Sequence, residues 1–67
     1  MSMNVLINGV PHTLPASATL ADAIACIDAK PPYAAAVNRE FVPRSGHATH
    51  ALHEGDQVEV IRPVTGG

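Results

Sequence analysis

The sequence has no tryptophan, a single cysteine (Cys26), and only two large aromatic side chains, Tyr33 and Phe41. A lone cysteine cannot close an internal disulfide, which fits a reducing compartment. It also excludes a [2Fe–2S] cluster, whose ligation needs four such residues. With so few aromatics, a core must rest on Val, Leu and Ile. Positive charge is scarce as well: 4 Lys and Arg stand against 6 Asp and Glu, for a net charge of −2. No basic stripe is present, so binding to nucleic acid has no electrostatic support. No apolar run approaches the roughly 20 residues that span a bilayer, and no basic-plus-apolar segment opens the chain. A cytoplasmic protein without membrane contact is expected. The G-x-x-x-x-G-K-[ST] phosphate loop is missing too, so any ATP site would belong to a partner.

What remains is enough for one small domain. The chain has 67 residues, of which 46% are hydrophobic and 15% charged, a balance that indicates a globule rather than a disordered segment. Asn4 to Asn8 reads as a strand with Val5 and Ile7 on one face and Leu6 on the other. Asn8-Gly9 suits a type I′ hairpin turn, and Val10 to Leu14 is the return strand. Pro11 lacks an N–H and so belongs on a sheet edge. Thr19 with Asp22 three positions later forms a shortened capping box. Leu20, Ala23, Ile24 and Ile27 then mark one buried face of a helix over about 19 to 29, which Pro31-Pro32 stops. Tyr33 to Asn38 reads as a third strand, Asn38-Arg39-Glu40 as a turn, and Phe41-Val42 as a further extended piece. Pro43 to Thr49 is loop and Glu54-Gly55-Asp56 a second turn signal. Gln57 to Arg62 is the clearest strand, with Val58 and Val60 inward and Glu59 and Ile61 outward.

The resulting fold class is α+β: one mixed sheet of four to five strands packed on a single helix, with the chain returning from the helix to a strand beside the first. This is the plan of a ubiquitin-like β-grasp. The domain covers residues 1–62, and 63–67 is a flexible tail. The sheet's other face has no second helix, so Leu6 and Ile61 would lie uncovered there.

Three signals point to ordinary structure. His47-x-x-His50-x-x-His53 spreads its members on a helix and alternates them on a strand, so surface or loop histidines are expected and no metal site. Cys26 falls mid-helix on the flank of the apolar stripe, where it reads as a small packing residue. Asp22, Asp28, Glu54, Asp56 and Glu59 read as a solvated face and turns, with Asp56 bonding a nearby backbone amide. No catalytic residue emerges.

The last six residues, Arg62-Pro63-Val64-Thr65-Gly66-Gly67, carry the functional reading. A Gly-Gly end can take backbone angles closed to other residues and enter a narrow channel. Pro63 cannot donate to a sheet ladder and marks where strand gives way to tail. Extended, residues 63 to 67 reach at most about 16–18 Å.

A β-grasp whose final strand runs into Gly66-Gly67 resembles the ubiquitin-like sulfur carriers, and within them the ThiS-type carriers of thiamine (thiazole) biosynthesis. The matching stretches are Val5 to Gly9, Ala36-Val37-Asn38-Arg39-Glu40-Phe41-Val42-Pro43-Arg44, His50, Glu54 to Val60, and the Gly-Gly end. The tail is equally similar to that of the small subunit of molybdopterin synthase, which lacks the Val-Pro-Arg segment at 42–44. The resemblance implies a protein cosubstrate, not an enzyme. A ThiF-like adenylating enzyme would use ATP to activate the Gly67 carboxylate, and a persulfide-bearing sulfur donor would convert it to a thiocarboxylate. A ThiG-like thiazole synthase would accept the sulfur. Pro63, Val64, Thr65 and Gly66 would enter the partner's active site while Leu6, Phe41 and Ile61 dock the body. The carrier itself would hold no cofactor. A ubiquitin-like modifier and a plain interaction domain are the readings of other classes.

Overall fold

Alternation of apolar and polar residues builds the first strand, β1 (Ser2–Ile7), which buries Met3, Val5 and Ile7 on one face. The computed structural model describes residues 1–62. β1 pairs antiparallel with β2 (Val10–Pro15), from Ile7 opposite Val10 to Ser2 opposite Pro15. The turn between them places Asn8 at φ 52° and Gly9 at φ 81°, the two left-handed residues of a type I′ hairpin. β2 lies at the sheet edge, where Pro11 needs no ladder partner.

The helix α1 (Leu20–Cys26) starts at Thr19, whose backbone N–H donates to Asp22 Oδ2 at 2.8 Å. Leu20, Ala23 and Ile24 are buried, and Ile27 packs against the core just beyond the last turn. The helix is shorter than its apolar spacing suggests. Ile27 is its C-cap and Asp28 turns left-handed at φ 52°, so the chain leaves the helical path well before the proline pair. Orphan amides at the helix start find carbonyls in the later loop: Leu20 N–H donates to His50 O (2.9 Å) and Ala21 N–H to His47 O (3.0 Å).

After the helix come β3 (Ala34–Val37) and β4 (Glu40–Val42), a hairpin turning on Asn38 and Arg39 with φ of 51° and 68°. A short 3₁₀ turn (Arg44–Gly46) follows, then β5 (Gln57–Ile61). The sheet order is β2-β1-β5-β3-β4. The strand beside β1 is therefore β5, running parallel to it, and not the strand that follows the helix. β3 joins on the far side of β5, antiparallel, with Ala35 opposite Val60 and Val37 opposite Val58. Val58 and Val60 thus sit mid-sheet over the helix, which their double burial favours. The architecture is the mixed five-stranded, one-helix β-grasp. Burial of Val5, Ile7, Leu20 and Val58, none more than 2% exposed, contributes about 1.5–3 kcal/mol each relative to solvent exposure.

Two expectations need correction. Cys26 is the last helical residue and exposed; with the helix ending there, its flank position faces solvent instead of neighbours. His47 is in a loop but buried, at 6% exposure. Its ring stacks on Tyr33 (centroids 5.9 Å apart, planes 16° apart), and Nε2 donates to Val42 O at 3.0 Å. A polar residue enters the core there because that carbonyl satisfies it.

The exposure of Cys26 is open to a thiol titration. In native protein, Ellman's reagent should modify one thiol at a rate within about threefold of that in urea, because the side chain is already accessible in the fold.

Candidate functional site

β5 organises the surface from which the final residues depart. Its outward residues are Gln57, Glu59 and Ile61, all exposed. Register places Leu6 beside Gln57, Ala36 beside Glu59 and Ala34 beside Ile61, with Phe41 beyond Ala36 on β4. Leu6, Phe41 and Ile61 therefore share the sheet face opposite the helix. Phe41 is 67% exposed and Ile61 60%, while Leu6 is half-buried. Between Phe41 and Ile61 the floor is low, made by the side chains of Ala34 and Ala36.

The three do not form one unbroken patch. Leu6 and Ile61 are four β5 positions apart in register, about 13 Å along the strand, and Glu59 stands between them. Leu6 instead borders a shallow hollow of about 270 Å³ that it shares with Asn8, Gln57 and Glu59. The face is thus two apolar lobes, Leu6 on one side and Phe41 with Ile61 on the other, divided by a carboxylate.

The end of β5 is secured on both sides. Against β3, Val60 pairs with Ala35 and Ile61 with Ala34. Against β1, Asn8 N–H donates to Val58 O and Val60 N–H donates to Asn8 Oδ1, each at 2.8 Å. The start of β5 is held in matching fashion by Asn38: its N–H donates to Gln57 O (2.8 Å) and its Oδ1 accepts from Gln57 N–H (3.0 Å). Asn38 Nδ2 in turn donates to Asp56 Oδ1 at 3.0 Å, and Asp56 Oδ2 accepts from His53 N–H at 2.8 Å. Asp56 thereby fixes the turn as its position after Gly55 suggests. Sequence reading missed the side-chain role of both asparagines. The signal was available, because Asn is the residue besides Gly that readily turns left-handed, and here it does so next to a strand needing an acceptor.

Pro63, Val64, Thr65, Gly66 and Gly67, the tail residues singled out above, lie outside the described residues. Arg62, where the description ends, borders a second shallow hollow with Val10, His12 and Ile27 on the helix side. Among the described residues, no group of three or more His, Cys, Asp or Glu is placed to hold a metal ion, and no helix is long and apolar enough to cross a membrane.

The sequence matches the ThiS family over residues 5–67. No curated protein matches it at a significant level. Among solved structures, it is similar to the crystal structure of a thiamine biosynthesis protein (ThiS) from Geobacter metallireducens, at 23% identity and a TM-score of 0.78. That match covers 97% of this chain and 100% of the other, and it shows a shared fold.

The assignment of outward and inward positions predicts unequal costs for neighbouring substitutions in β4. Phe41→Thr keeps a strand-forming residue and should change stability by no more than about 0.5 kcal/mol. Val42→Ala, at a position 7% exposed, should cost about 1–3 kcal/mol. Urea denaturation of the two variants checks this.

Proposed function

The chain belongs to the ThiS family, small sulfur carriers of thiamine biosynthesis, and from that premise we propose that its Gly67 carboxylate is the group that carries sulfur. A carboxylate is a poor electrophile because its oxygen is a poor leaving group. Adenylation by a ThiF-like partner turns that oxygen into the leaving group AMP, with pyrophosphate released. The outer sulfur of a donor persulfide then displaces AMP to give an acyl disulfide. A second thiol attacks the donor's sulfur, forming a disulfide with it and releasing a C-terminal thiocarboxylate whose nucleophilic sulfur passes to a ThiG-like thiazole synthase. ATP is bound and used by the activating partner; the sequence here contains no phosphate loop to hold it.

The observation that carries this reading is the placement of β5. The strand that leads into Pro63-Val64-Thr65-Gly66-Gly67 is the middle strand of the sheet, paired on both sides up to its end. A rigid root aims the residues beyond it, and at full extension these reach about 16–18 Å. That is the geometry needed to bring one acyl carbon to a site on another protein. Alongside the root lies the outer face, with Ile61 and Phe41 exposed. These two and Leu6 are the contacts we assign to the body of the carrier when it docks, while Pro63 to Gly66 thread into the partner. Ile61 and Phe41, exposed on the sheet face beside the root, would hold the partner through buried apolar area.

Two measurements test the reading. Protein purified from its own cells should contain a species heavier by the difference between a sulfur and an oxygen atom, and Gly67→Ala should lower the rate of adenylation by about 100-fold while leaving the fold intact. A normal rate from Gly67→Ala would refute the assignment of the acyl carbon, and high-mass conjugates to lysines would point to a protein modifier. For the docking face, Ile61→Asp should weaken association with the adenylating enzyme by about tenfold or more. The same change should alter unfolding free energy by no more than about 1 kcal/mol, because the position is largely solvated. Unchanged affinity would remove Ile61 from the interface.

A further inference from the structure

The parallel ladder between β1 and β5 ends in an unusual way. Leu6 N–H donates to Asp56 O and Asn8 N–H to Val58 O. The next rung of a continuing strand would bring the Asn8 main-chain carbonyl to Val60 N–H. At this point the chain turns left-handed, at φ 52° for Asn8 and 81° for Gly9, and the main chain departs. The side-chain oxygen of Asn8 takes the missing place, 2.8 Å from Val60 N. The rung is partly buried, where an unpaired N–H is costly. Few residues can do this. The position needs positive φ together with a carbonyl oxygen one methylene from Cα, a combination that Asn provides and Asp approximates. Gly would keep the turn and lose the oxygen.

We propose that Asn8 is a positioning residue for the C-terminal tail: its side-chain oxygen closes the final β1–β5 rung and so fixes the direction in which the chain leaves the sheet after Arg62. This rests on the sulfur-carrier reading given above. Val60 lies two residues before Arg62. Asn38 makes the equivalent bond to Gln57 N–H, but at the opposite end of β5, three residues or about 10 Å from Val60. The two asparagines therefore stabilise the same strand by the same kind of bond, and only Asn8 does so at the end of β5 that leads into the tail.

That pairing supplies the test. Asn8→Gly retains the left-handed turn and removes the acceptor; Asn8→Asp restores an oxygen; Asn38→Gly removes the matching bond at the far end. Each is offered to a purified ThiF-type adenylating enzyme, with ATP–pyrophosphate exchange as the activity. Amide hydrogen exchange at Val60 serves as a readout independent of the partner. Asn8→Gly should speed Val60 exchange about tenfold or more and lower kcat by about tenfold, with KM within about twofold of the unaltered protein, since docking through the outer face is untouched. Asn8→Asp should recover most of kcat. Asn38→Gly, which also loses the bond from Nδ2 to Asp56, should be destabilised at least as much in urea yet keep its kcat. An unchanged kcat in Asn8→Gly, an equal fall in Asn38→Gly, or no recovery in Asn8→Asp would each overturn the proposal. Where Asn8→Gly does not fold at the assay temperature, the same measurements are made on it and on the unaltered protein at a lower temperature, under the same criteria. Should the unaltered protein support no exchange at all, the carrier reading itself falls, a result distinct from loss in the variants alone.

Discussion

The sheet depends on the hydrogen bonding of one strand, β5. Two hairpins, β1–β2 and β3–β4, are each closed by local turns, and nothing in either requires the other. β5 joins them by pairing parallel to β1 and antiparallel to β3. Two asparagine side chains extend that pairing past the points where the hairpins turn away, Asn8 at Val60 and Asn38 at Gln57. Both sit in left-handed turn positions. The turns that end the outer strands are thus also the clasps that hold the middle one. A short strand of five residues gains from each added rung a larger share of its anchoring than a long one would.

The two faces of the sheet are used differently. Toward the helix, every strand contributes buried aliphatics, and the segment after β4 folds back so that its carbonyls at His47 and His50 receive the first helical amides. That arrangement explains why His47 is buried: its backbone caps the helix while its ring fills the space between Tyr33 and the β4 end. Away from the helix, the only phenylalanine in the chain is left in solvent, along with Ile61. The face proposed for docking thus carries one of the few large side chains the protein has. Glu59 divides the face, so a complementary surface would need two apolar contacts flanking a polar one.

Much of this was legible before the structure. Asn8-Gly9 announced a primed turn, Pro11 an edge strand, Thr19 with Asp22 a helix start, and the alternation in Gln57 to Arg62 a strand with a clear inner face, one residue longer than the observed β5. Each of these is a local signal. The strand order was not local: placing β5 between β1 and β3 depends on pairings 51 residues apart with β1 and 21 to 27 apart with β3, and nothing in the turn chemistry specifies them. Helix length failed for a related reason. Ile27 keeps the apolar period, yet the backbone reverses at Asp28, a residue whose short polar side chain tolerates the left-handed region. Cys26 was misplaced as a consequence. Of the candidate site, the sharing of one face by Leu6, Phe41 and Ile61 follows from simple alternation once the register is known. The asparagine clasps escaped notice because each was already explained as a turn residue.

The parallel pairing of β1 with β5 has a consequence for biosynthesis. A chain growing from its amino terminus makes both hairpins and the helix before residue 57 exists, and none of them can close the sheet alone. β5 is the last of the five strands in chain order, so it joins the two hairpins only after both have been synthesised. Completion of this domain is therefore a late event that waits on the arrival of a single central piece. A transcript cut short before that piece would yield unjoined hairpins with open edges, prey for proteases rather than a competitor for the finished protein's partners.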